Sequence, residues 1–103
     1  MQPEDYLDRH CIGIRKQSET EQVCHYEFIR TEFRRIGTKR LEQLGHVTGT
    51  FQIDKQTGTT ELVDPMPGDE SLSAFNRASH KIYKCWLAGE LPNSEQYCAG
   101  HNV

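Results

Sequence analysis

No stretch of this chain approaches the ~20 consecutive apolar residues that a membrane-spanning helix needs. Its first ten residues, MQPEDYLDRH, carry acidic charge and no apolar core of the kind a secretory leader has. Both absences make a cytoplasmic protein the expectation, with no membrane segment and with reduced thiols at its four cysteines. The sequence also lacks a phosphate loop, a dinucleotide fingerprint, Gly-x-Ser-x-Gly and His-Glu-x-x-His. Without those motifs the common routes to nucleotide chemistry, serine hydrolysis and zinc proteolysis have no footing, and the chain reads as a non-enzyme without a cofactor. It shows no internal repeat and no low-complexity segment.

What is present is the composition of one small folded domain spanning residues 1–103, with 35% hydrophobic and 26% charged residues. The formal charge of −3 hides a segregation. Arg30, Arg34, Arg35, Lys39 and Arg40 are diluted only by Glu32, whereas Asp54, Glu61, Asp64, Asp69 and Glu70 are opposed by Lys55 alone. Such an uneven distribution suits steering toward a charged partner.

The clearest periodic signal lies between Asp69 and Gly89. Leu72, Phe75, Ser79, Ile82 and Trp86 recur at steps of three and four, widened by Ala78 and Cys85, with Arg77, Lys81 and Lys84 opposite. Asp69 and Ser71 are candidate caps, Glu70 suits the first turn, and Gly89 followed by Pro92 marks the stop. Upstream, Pro3 fits the first turn of a short helix whose inner face would hold Tyr6, Leu7, His10 and Cys11, although Ile12 and Ile14 also fit a short strand. Ser18-Glu19-Thr20-Glu21 has a capping-box pattern and predicts a second helix carrying Tyr26, Ile29, Phe33 and Ile36. Leu41 and Leu44 continue its stripe, kinked at Gly37 or restarted at Thr38 and running to Gly45.

From His46 the period changes to two. Val47, Gly49, Phe51 and Ile53 predict a strand, Asp54 to Gly58 a turn, and Thr59 to Val63 the return strand of a hairpin. Asp64-Pro65-Met66-Pro67-Gly68 is an extended connector, Ser94 to Cys98 fits a last short helix, and Gly100 to Val103 a frayed tail. The expected fold is α+β, with helices packed around a central hairpin in the order helix, helix, hairpin, helix.

Candidate chemistry is sparse. Cys11, Cys24, Cys85 and Cys98 form two pairs that each enclose twelve residues, and His10, His25 and His101 lie nearby, so a zinc site is one reading. Structural zinc sites usually hold two ligands on a tight Cys-x-x-Cys knuckle, and none exists here, so Cys24 and Cys85 read better as packing residues of helical stripes. His25-Tyr26-Glu27 matches half of a zinc-deaminase signature whose second half is missing.

The basic residues point instead to binding. The expected function is that of an inhibitor or adaptor, of the size found among phage or immunity proteins, that docks on a host or partner protein through Arg30, Arg34, Arg35, Lys39 and Arg40. The loop at Pro65, Met66 and Pro67 is expected as a second contact and as a substrate for a prolyl isomerase. The alternative is a regulatory protein that binds nucleic acid through a basic helical face. Net negative charge and a sequence pI near 5.9 weigh against that alternative.

Overall fold

A computed structural model describes residues 10–36 and 40–99, with side chains described for 11–31 and 45–98. Five strands and one helix follow in the order β1 (His10–Glu19), β2 (Val23–Ile36), β3 (Arg40–Asp54), β4 (Thr60–Asp64), α1 (Ser73–Leu87) and β5 (Ser94–Ala99). The strands form one sheet in the order β4-β3-β2-β1-β5, and every neighbouring pair is antiparallel. α1 carries the chain from one edge strand, β4, to the other, β5, and covers one face on the way. The expected order of helix, helix, hairpin, helix is therefore overturned: one predicted helix, Asp69 to Gly89, is found. The predicted helix from Pro3 and the tail from Gly100 fall mostly or wholly outside the described residues, but Cys11, assigned to that helix, lies in β1.

The second predicted helix is β2, because two periodicities coexist in VCHYEFIRTEFRRI and the sheet selects the shorter one. Cys24, Tyr26 and Phe28 alternate inward and are fully buried, while Ile29, a member of the helical stripe, is only half-buried on the other face. Val23, Tyr26, Phe28, Ile29 and Thr31 are also β-branched or aromatic, types that suit a pleated, half-buried surface. The apparent capping box closes a hairpin instead. Thr20 Oγ1 accepts hydrogen bonds from the amides of Gln22 and Val23 at 3.2 and 3.0 Å, an alternative use of the same polar side chain. The stretch from Arg40 to Gly45 belongs to β3, and Ser94 to Cys98 to β5, so neither is helical.

Inward-facing Ile12, Ile14, Cys24, Tyr26, Phe28, Phe51 and Ile53 meet Ala74, Ala78 and Ile82 of α1 to form the core. Phe51 sits at its centre, with ring centroids 5.7 Å from Tyr26 and 5.9 Å from both Phe28 and Phe75. The predicted stripe on α1 holds with two changes: Ala74 joins it, and Leu72 is exposed just ahead of the helix. Asp69 caps the helix from outside, accepting from the amides of Ala74 at 3.0 Å and Phe75 at 3.1 Å. Gly89, at φ 91°, ends it.

The far end of α1 is pinned to the sheet. Trp86 Nε1 donates to Lys55 O at 2.8 Å, and the indole lies against Gly58, where an added Cβ would stand 2.6 Å from the ring. Tyr26 OH donates to Pro92 O at 2.7 Å and Lys16 N to Asn93 O at 2.8 Å, which ties down the segment between α1 and β5.

The predicted hairpin is present as β3 and β4, and its inner residues are the predicted ones. Gly49 is required there for space. A Cβ would stand 2.5 Å from Phe28 Cζ and 2.8 Å from both Asp64 O and Met66 N, and backbone atoms cannot retreat as a side-chain tip can. Gly49→Ala is expected to lower stability by about 1–3 kcal/mol, an overpacking cost, in a urea melt; an unchanged midpoint would show that Met66 does not seat on β3.

The thiols depart from the reduced state expected of them. Cys11 and Cys98 are cross-strand partners on β1 and β5 and form a disulfide across a sequence separation of 87. Cys24 and Cys85 are free. Among the described residues no helix is long and apolar enough to cross a membrane.

Candidate interaction site

Strand length creates the candidate site. A helix of 15 residues is about 22 Å long, whereas strands of 14 and 15 residues reach about 45–50 Å, in keeping with a longest dimension of 50 Å. α1 can therefore cover only part of β2 and β3. The register shows where cover ends: β1 pairs with β2 up to Arg30, and β4 pairs with β3 only between Thr50 and Ile53. Beyond Arg30 and Val47, β2 and β3 pair only with each other among the described residues, as a two-stranded arm. A register shift between Glu32 and Phe33, opposite a Gly45 at φ 132°, marks a bulge near its root.

The arm gathers the sequence-predicted basic residues. Arg34 pairs with Glu42 in register, Arg35 with Leu41 and Ile36 with Arg40, while Lys39 lies outside the described residues. Between 31 and 46 the chain holds Arg34, Arg35, Lys39 and Arg40 against Glu32 and Glu42, a net +2 within a total of −3. The sequence pattern suggests helices here; the structure keeps Arg34, Arg35 and Arg40 together on strands.

Arg30 stands at the root of the arm, where β2 meets the first turns of α1. A recess of about 260 Å³ opens there, lined by Ile12, Arg30, Ser73, Ala74 and Arg77. Arg77 was expected on the outer face of its helix with Lys81 and Lys84. Instead it is half-buried beside this recess, Lys81 approaches Glu95 of β5 at 3.9 Å, and of the three Lys84 alone is exposed. Arg77, Lys81 and Lys84 thus do not share one exposed face of α1, although they were only part of the basic surface of the nucleic-acid alternative, which also drew on Arg30 to Arg40. The meeting of Arg30 with Arg77 had no signature in the chain, since 47 positions separate them and only the packing of α1 on β2 joins them.

The proline connector divides. Pro65 and Pro67 are exposed, but the Met66 side chain between them is in the core, 2% exposed, so Met66 offers no surface to a partner. No peptide bond among the described residues is cis.

The cysteine set divides as well. Cys11 and Cys98 are consumed by the disulfide, and no group of three or more Cys, His, Asp or Glu side chains suited to a metal occurs among the described residues. Burial holds both free thiols above the ordinary range, with Glu95 adding to the effect at Cys85. Burial of this kind disfavours the thiolate form. Cys24 packs in a strand, not in the helical stripe expected for it.

His25-Tyr26-Glu27 is split by strand alternation. Tyr26 points into the core, where burial raises its phenol well above the usual range, while His25 and Glu27 point to the opposite face. There His25 Nδ1 lies 3.2 Å from Ser18 Oγ, its Nε2 donates to Gln52 Oε1 at 3.0 Å, and Gln52 Nε2 donates to Glu61 Oε1 at 3.1 Å. Glu27 accepts from Arg15 at 2.8 Å. These side chains form a ladder across four strands, a cross-strand pairing that ties the sheet together.

At the end opposite the arm, Lys55 and Lys16 hold the Glu19 carboxylate down to about 2, and the amides of Thr57 and Gln56 lower Asp54. Glu19 borders a recess of about 340 Å³ with Lys55, Trp86, Gly89, Glu90 and Leu91, but its charge is already paired with two lysines. Comparison with protein-family models, characterised proteins and solved structures gives no match to this chain.

Proposed function

We propose that this chain acts by binding another protein, as an inhibitor or adaptor, and that it docks through the β2–β3 arm onto an acidic surface of that partner. The observation that carries this reading is the arm itself: two strands that run beyond the helix-covered sheet and concentrate Arg34, Arg35 and Arg40 there. An isolated two-stranded ribbon is marginal in water, so a long one gains stability from whatever packs against it. Arginine suits such docking because its planar fork pairs with carboxylates in two places at once. The exposed Pro65 and Pro67 are a second contact in this reading, without Met66.

The test is a tagged pull-down from lysate of the source cell, with and without nuclease, using the wild type and an Arg34→Ala/Arg35→Ala variant. A stoichiometric protein that survives nuclease and falls at least tenfold with the double variant is the expected result. Material lost on nuclease treatment would replace this reading with nucleic-acid binding.

A further inference from the structure

The recess at the root of the arm offers more than basic charge. We infer that the space bounded by Ile12, Arg30, Ser73, Ala74 and Arg77 is a carboxylate-binding site, which takes an Asp or Glu side chain of the protein partner; this rests on the docking reading above. The two arginines come from different elements, β2 and α1, and among the described residues no acidic one lines the space. Among the described residues Arg77 makes no hydrogen bond or ion pair, whereas Arg30 is engaged in a further interaction within the chain. Arg77 therefore supplies the two-pronged donor, and the exposed Ser73 at the rim carries a hydroxyl that can add a further hydrogen bond.

The floor matches the rest of an acidic side chain. Ile12 and Ala74 are 2% and 3% exposed, an apolar surface for the methylene stem that carries the carboxylate. The same geometry disfavours a phosphate dianion. Asp69 already takes the amide hydrogens of Ala74 and Phe75, so the first turn has no such donors left at those positions, and its own negative charge lies against the residue that lines the recess. A single negative charge with two oxygens is what the remaining donors can satisfy. Position adds to the argument, since the Ile12–Arg30 pair is where β1 ceases to pair with β2 and the arm begins, so a partner lying along the arm reaches the recess.

The test uses the full 15N-labelled chain, titrated with acetyl-hexaglutamate amide, acetyl-hexaglutamine amide and a phosphoserine peptide of equal length. The glutamate peptide is expected to shift the Arg77 Nε–H and the Ala74 amide saturably, the glutamine peptide to leave both unmoved, and the phosphoserine peptide to bind more weakly. Arg77→Gln should raise the apparent Kd at least tenfold with an unchanged thermal melt. Shifts confined to the arm, full binding by Arg77→Gln, or tighter binding of the phosphoserine peptide would each overturn the site. The pull-down separates the two claims. A partner lost with Arg34→Ala/Arg35→Ala but kept with Arg77→Gln leaves the docking reading and removes the carboxylate site. A wild type that retains no protein removes the docking reading, and the titration still decides the recess.

Discussion

Replacing Cys11 and Cys98 together with alanine is expected to lower the free energy of unfolding by about 3–4 kcal/mol, with the loss matched by reducing the wild type in dithiothreitol. The bond closes a separation of 87 residues, nearly the whole described chain, and so removes much of the freedom of the unfolded state. It also acts at an edge of the sheet. β5 is an edge strand of six residues whose strand pairing is to β1 alone, and its inward Glu95 faces Lys81 and Cys85 instead of adding to the apolar core. Cys11 and Cys98 are directly opposite each other, so the link clamps β5 in register. Urea melts of the oxidised protein, the reduced protein and the double variant measure this. Coincident midpoints for all three would mean that the two strands stay paired without the bond. A domain of this size has roughly 5–15 kcal/mol in total, so the expected loss brings it near the limit of folding.

The second large effect is expected at Phe51. Phe51→Ala should cost about 3–5 kcal/mol, the range for removing a fully buried aromatic and leaving a cavity. Phe51 has no accessible surface and touches the rings of Tyr26, Phe28 and Phe75, so neighbours on β2 and on the helix would have to collapse together to fill the space. Phe51→Leu, which keeps most of the volume, should cost much less. Denaturant melts with near-ultraviolet circular dichroism follow both. A loss below about 1 kcal/mol for the alanine variant would move the centre of the core elsewhere. Trp86, also a member of the predicted helical stripe, is a weaker candidate because it is only half-buried, at the end of α1 against Gly58 and Lys55.

Legibility in the sequence followed local self-sufficiency. The hairpin from Val47 could be read because strict alternation meets a turn that needs Gly58 at φ 75°, and both signals sit within a few residues. α1 could be read because its stripe repeats over four turns between Asp69 and Gly89, each of which does the local job its type suggests. β2 was misread because Tyr26, Ile29, Phe33 and Ile36 fit a helical period as well as Cys24, Tyr26 and Phe28 fit a strand. The density of β-branched and aromatic residues in β2 arbitrates between two periods where spacing alone cannot. β5 had no such signal. SEQYCA is polar, and it is a strand because β1 offers an unpaired edge and Cys98 meets Cys11.

The basic segment was visible as composition, and its arginines needed only neighbouring positions on β2 and β3 to stay together. The recess was not visible, because Arg30 and Arg77 are brought to one place by a helix crossing from one edge of the sheet to the other. By itself the sequence determined what nearest neighbours along the chain enforce: the β3–β4 turn, the extent of α1, and the charge carried between Arg30 and Arg40. The tertiary structure alone decided which period β2 would obey, which thiols would meet and what stands beside Arg30. Each of those outcomes depends on surfaces supplied by distant residues, and burial against them outweighs local preferences worth only tenths of a kcal/mol per residue.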